Sequence, residues 1–65
     1  MYYEKLKGIR EDRDIKQQEI ALLLKTTKQQ ISKYENGIQD MTVLRFMKLC
    51  EYYKVSADYI LDLNK

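Results

Sequence analysis

The sequence contains no proline, no histidine and no tryptophan, a single cysteine and only two glycines. Without histidine, and with no second cysteine beside Cys50, the usual ligand sets of a structural zinc site are missing, so no metal is expected. A lone cysteine also excludes an intrachain disulfide and fits a reducing compartment. Long apolar runs are missing too. The longest, Ile20-Ala21-Leu22-Leu23-Leu24, is far too short to span a bilayer. Met1-Tyr2-Tyr3-Glu4 leads straight into charged residues rather than a signal peptide's apolar stretch, and a cytoplasmic location is expected. There is no glycine-rich phosphate loop, no plausible carboxylate pair in a cleft and no nucleophile–histidine set, so neither an enzyme nor a cofactor is expected.

What is present fits one domain spanning residues 1–65. A chain of this size buries only about 60% of the surface it exposes when unfolded, which leaves stability marginal. With disulfide and metal excluded, dense helix packing and self-association remain as sources of stability. The net charge of +2 is unevenly spread. Residues 1–33 carry eight Lys/Arg against five Asp/Glu, and residues 34–65 carry four against five.

Without proline to interrupt it, the chain reads as all-α, with five helices located by apolar period and caps. The first is expected over Tyr3–Arg13, with Leu6 and Ile9 inward, Gly8 weakening it, and Asp12 and Asp14 closing it. The second is expected over Gln17–Leu24, with Ile20, Leu23 and Leu24 as its core stripe. Lys16 is a poor residue at its cap position. The third begins with Thr27-Lys28-Gln29-Gln30, a Thr-x-x-Gln capping box. It turns Ile31 and Tyr34 inward and stops at Asn36-Gly37. The fourth is expected over Val43–Tyr53 with Thr42 as cap and a broad apolar face of Val43, Phe46, Met47, Leu49, Cys50 and Tyr53. The fifth is expected from Ala57 to Leu63 with Ser56 as cap. On that apolar face Cys50 reads as a small buried hydrophobe.

Only Lys25-Thr26-Thr27 separates the second helix from the third, a spacing that predicts a helix-turn-helix. The third helix then presents Lys28, Gln29, Ser32 and Lys33 outward, long or polar residues without an acid. Glutamine can bond adenine at two points, and lysine can donate to guanine acceptors. Helix N-termini direct amides at phosphates, and Gln17 and Thr27 stand at two of them. A polar stripe alone is usually a solvated helix face. Here the turn length, the capping box and the Gly37 stop occur together.

The ordered set Ile9-Arg10-Glu11, Gln17-x-Glu19-Ile20-Ala21-x-x-Leu24, Ile31-Ser32-Lys33-Tyr34-Glu35-Asn36-Gly37, Leu49 and Val55-Ser56-x-Asp58-Tyr59-Ile60-Leu61 resembles the phage Cro and repressor-type helix-turn-helix proteins, the XRE-like family. The resemblance implies the compact five-helix fold of lambda-repressor-like domains. It implies that Lys28 and Gln29 reach base edges, with Ser32 and Lys33 one turn further on. Gln17, Thr27 and Asn36 would hold phosphates, and Arg10 and Glu35 would form a buried ion pair that orients the reader helix, expected over residues 28–36. The chain departs from that pattern at Lys25, where small residues are common, at Lys16, and at the non-basic loop Ile38-Gln39-Asp40. It also departs at Leu22, expected in the core or at its rim.

The expected function is therefore sequence-specific binding of double-stranded DNA by a homodimeric transcriptional repressor. Tyr2, Tyr52, Tyr59 and Leu63 are candidates for the dimer surface. The alternative keeps the fold and changes the partner: a protein-interaction module, such as the antitoxin of a toxin–antitoxin pair, with Tyr59-Ile60-Leu61-x-Leu63 as its apolar tail.

Overall fold

The first four helices end in the same way, and only one of those ends uses glycine. A computed structural model describes residues 1–62 and places α1 at Tyr2–Asp12, α2 at Gln17–Leu23, α3 at Lys28–Glu35, α4 at Val43–Tyr53 and α5 at Ala57–Leu61. Asp14, Lys25, Gly37 and Lys54 follow α1 to α4 with φ of 56°, 56°, 70° and 57°. In each case the residue after the left-handed one donates its N–H five residues back: Ile15 to Arg10, Thr26 to Ala21, Ile38 to Lys33 and Val55 to Cys50, at 2.9–3.0 Å. These Schellman closures satisfy carbonyls that a helix end leaves without partners. Each carries an apolar or β-branched residue just beyond the turn. At α1 the left-handed residue is Asp14, not Asp12, which is still helical.

The helix starts are equally local. Thr27, Thr42 and Ser56 each accept the backbone N–H three residues on, at 3.1, 3.3 and 3.1 Å. Such caps contribute about 1 kcal/mol each. Lys16 precedes α2 without a side-chain cap bond. Only half of the capping box expected at Thr27 forms. The Gln30 side chain donates to Gln39 Oε1 at 2.9 Å instead of returning to the cap, because the loop after α3 lies within its reach.

The core consists of Leu6 from α1, Ile20 and Ala21 from α2 with Leu24 beyond it, Ile31 and Tyr34 from α3, Leu49, Cys50 and Tyr53 from α4, and Ile60 from α5. Burying an isoleucine such as Ile20, Ile31 or Ile60 stabilises the fold by on the order of 2–3 kcal/mol relative to leaving it in water. Ala21, wholly buried, lets α3 approach α2 closely. α1 packs across α3 and α5. The interior void amounts to about 10 Å3, room for about one water and no larger ligand.

Two expectations about burial need correction, at Leu22 and on the apolar face of α4. Leu22 is 70% exposed, because α2 turns Ile20, Ala21 and Leu24 inward and Leu22 lies on the other side. Val43 and Met47 are exposed as well, since α4 buries Leu49, Cys50 and Tyr53 and only part of Phe46. Tyr2 is half-buried: its hydroxyl donates to Asp40 Oδ1 at 3.4 Å and accepts from the Met41 N–H at 3.1 Å. The expected end of the last helix at Leu63 lies outside the described residues. No helix among the described residues is long and apolar enough to cross a membrane.

Candidate nucleic-acid interface

α2 and α3 are joined by the four residues Leu24–Thr27, and the joint is shaped by Lys25 in the left-handed conformation. A side-chain-bearing residue there costs about 1–2 kcal/mol. The Schellman closure, at 2.9 Å, and the Thr27 cap, at 3.1 Å, offset that cost and set the course of the turn.

α3 turns Ile31 and Tyr34 into the core and presents Lys28, Gln29 and Lys33 to solvent, with Ser32 half-buried beside them. Its first turn contains no acid, so the positive end of its dipole is not neutralised from within the helix. Thr27 and Asn36, at its two ends, are exposed. Asn36 Nδ2 donates to the carbonyl and the hydroxyl oxygen of Ser32, at 2.9 and 3.2 Å. Ser32 accepts in that arrangement and keeps its own hydroxyl hydrogen for an outward acceptor.

Arg10 and Glu35 are 9% and 8% exposed. Arg10 Nε donates to Glu35 Oε2 at 2.7 Å and Nη2 to Oε1 at 3.0 Å, while Nη1 donates to the Ile15 carbonyl at 2.7 Å. The hydrogen bond to Glu35 holds the Arg10 pKa above its ordinary value, against the opposing effect of burial. Gln17, the first residue of α2, donates its amide to the same Glu35 oxygen at 2.9 Å. One carboxylate at the end of α3 thus ties together α1, α2 and α3, and Arg10 extends the network to the α1–α2 loop. Gln17 is half-buried in this bond, so only its second amide hydrogen is free for an external acceptor.

Several residues that the sequence pattern did not single out also hold this face. Arg45 Nη1 donates to the Tyr34 hydroxyl at 2.7 Å, joining the start of α4 to the back of α3. The Tyr3 ring lies over Gly37, where an added Cβ would stand 2.6 Å from it. A polar groove of about 360 Å3 runs between the starts of α2 and α3, lined by Arg10, Lys16, Gln17, Gln18 and Lys28. Lys16 stood out only as a poor cap, and its charge at the groove is the signal that was available. None of the residues lining this groove is acidic. Among the described residues no group of three or more His, Cys, Asp or Glu is placed to hold a metal ion.

A short fixed turn between two packed helices, with the second exposing a polar face, is the arrangement that in DNA-binding proteins carries a reader helix into the major groove. No curated protein and no solved structure matches the chain. A family model described as a helix-turn-helix domain matches residues 3–65. The chain belongs to the helix-turn-helix domain family.

Proposed function

We propose that the protein is a sequence-specific double-stranded DNA-binding regulator, a repressor that acts as a homodimer, with α3 as the reader helix in the major groove. The observation that carries this reading is the outward face of α3: exposed Lys28, Gln29 and Lys33 without an acid, bordered by the groove of Lys16, Gln17, Gln18 and Lys28. Gln29 pairs with the N6 and N7 edge of adenine, and Lys28 donates to guanine O6 or N7. Ser32 and Lys33 meet the next base pairs. Thr27, Asn36 and the free amide hydrogen of Gln17 hold phosphates and set the register, with Lys16 supplying charge.

A reader of two turns spans few base pairs, so two copies on a dyad-symmetric site provide the discrimination that one copy lacks. Occupying such a site is enough to exclude the transcription machinery, which makes repression the simplest outcome of binding.

Selection of bound DNA from a random pool at two salt concentrations tests the reading. The expected product is a motif with dyad symmetry, bound more weakly at the higher salt. Gln29→Ala is expected to weaken binding to that motif by about 1–3 kcal/mol while leaving random DNA nearly unaffected. Equal losses on both would remove base reading from Gln29, and a pool without enrichment would refute the function.

A further inference from the structure

Two glutamines hold each other at the surface of the bundle. Gln30 Nε2 donates to Gln39 Oε1 at 2.9 Å. Gln39 is exposed and Gln30 half-buried. A bond between neutral side chains open to water adds little to stability, since it replaces bonds to water and costs both side chains rotamer freedom. Its effect is on orientation. Gln39 is anchored at its backbone as well: the N–H groups of Ile38 and Gln39 both donate to the Lys33 carbonyl, at 3.0 and 3.4 Å, which holds the loop against the end of α3. Gln30 lies in the first turn of α3, the part of a reader helix whose residues contact base edges. At about 100° per residue it stands about 60° around the helix from Lys33, on the flank next to the α3–α4 loop. Lys28 stands on the opposite flank, beside the start of α2.

We infer that Gln30 is a further base-reading residue, selective for adenine over guanine, and that Gln39 is the positioning residue that makes it so; the assignment rests on the DNA reading proposed above. A glutamine amide has two N–H donors and one carbonyl oxygen. Guanine presents two acceptors in the major groove, O6 and N7, whereas adenine presents an acceptor at N7 and a donor at N6. An amide free to turn can serve adenine with one donor and its oxygen, or guanine with both donors. In Gln30 one donor is taken by Gln39. One N–H and the carbonyl oxygen remain, the pair that meets adenine N7 and N6. Guanine would set its O6 against the Gln30 oxygen with no hydrogen between them. That repulsive contact discriminates against the wrong base, as specificity requires.

The pairing gives a use to a side chain that the capping box left idle. The Gln30 backbone N–H already closes the Thr27 cap at 3.1 Å, so its amide is available to Gln39. The loop Ile38-Gln39-Asp40 carries no cation, and its contribution at this flank is geometric rather than electrostatic.

Selection from a random DNA pool with the full chain and three variants tests the pair. The wild type is expected to select a motif that contains, besides the adenine met by Gln29, a second position where adenine is preferred to guanine. Gln30→Ala should remove that preference and weaken binding to the selected site roughly 10- to 100-fold, the range of a bidentate base contact, with random DNA nearly unaffected. Gln39→Ala should still accept adenine but admit guanine at that one position, narrowing the adenine-to-guanine ratio roughly tenfold. Gln39→Glu still offers Gln30 an accepting oxygen, so the ratio should return to the wild-type value while the added negative charge weakens binding to every DNA alike. Neither side chain lies in the core, so helicity by circular dichroism should be retained in all three variants. A wild-type pool without a motif removes the DNA reading and this inference with it. A motif unchanged by Gln30→Ala, an equal loss on random DNA, a ratio indifferent to Gln39→Ala, or one that Gln39→Glu does not restore overturns the inference and leaves the DNA reading standing.

Discussion

Replacing Glu35 by glutamine probes the joint on which the reader's orientation depends. The carboxylate accepts three hydrogen bonds, two from Arg10 and one from Gln17, at 2.7–3.0 Å. Glu35→Gln keeps the volume but removes the negative charge and turns an amide toward the guanidinium. Arg10 is then a buried cation left with the Ile15 carbonyl, the new amide oxygen and the more distant Glu11 carboxylate at 4.0 Å. Breaking a buried pair from one side costs about 3–5 kcal/mol. Because some solvent still reaches the pair, the lower end of that range is the better expectation. For a domain of this size, total stability is on the order of 3–10 kcal/mol. A loss of 3 kcal/mol would therefore lower Tm by roughly 12–24 °C. Urea unfolding followed by circular dichroism measures it. Replacing both partners, Arg10→Met with Glu35→Leu, should recover most of the loss, since an apolar pair of similar volume leaves no charge uncompensated. A Glu35→Gln variant within 1 kcal/mol of wild type, or a double variant worse than the two single changes added together, would refute the reasoning. The double variant also separates stability from function. It should remain folded yet bind the selected DNA more weakly, because Gln17 has lost the carboxylate that fixes it.

The two glycines should respond to alanine with opposite signs. Gly8→Ala meets nothing within 4 Å inside α1 and should raise stability by up to about 1 kcal/mol, whereas Gly37→Ala strains φ of 70° and meets the Tyr3 ring, costing about 2 kcal/mol or more. Thermal unfolding of both variants checks this, and a stabilising Gly37→Ala would contradict the Tyr3 contact. Lys25→Gly should raise stability by about 1 kcal/mol in urea titration, since Lys25 already occupies the left-handed region. Lys16→Ala should weaken binding to specific and random DNA alike and reduce the salt slope by about 1, measured by fluorescence anisotropy over a salt series.

How much the residues announced in advance can be judged element by element. Thr42-to-Tyr53 was legible to the residue, because a capping threonine and a long apolar period both act within a few residues along the chain. The outward face of α3 was legible for the same reason: Ile31 and Tyr34 settle which side faces in. The Schellman ends were only partly legible, since Lys25 and Lys54 adopt a backbone that lysine does not advertise. Gln30 followed the cap pattern in its backbone and abandoned it in its side chain, because its alternative partner, Gln39, is brought near only by the course of the α3–α4 loop.

By itself the sequence determined the all-helical class, the bounds of the first four helices to within a residue, and the polar character of the reader. Those are products of caps, periodicity and the lack of proline, which operate over distances of one or two turns. Tertiary structure alone decided which half of the α4 apolar arc is covered, that Leu22 is left in water, and that Gln17 shares Glu35 with Arg10. Each depends on how far neighbouring helices reach across the bundle, and a run of residues along one helix holds no record of how much of its apolar face the others can hide.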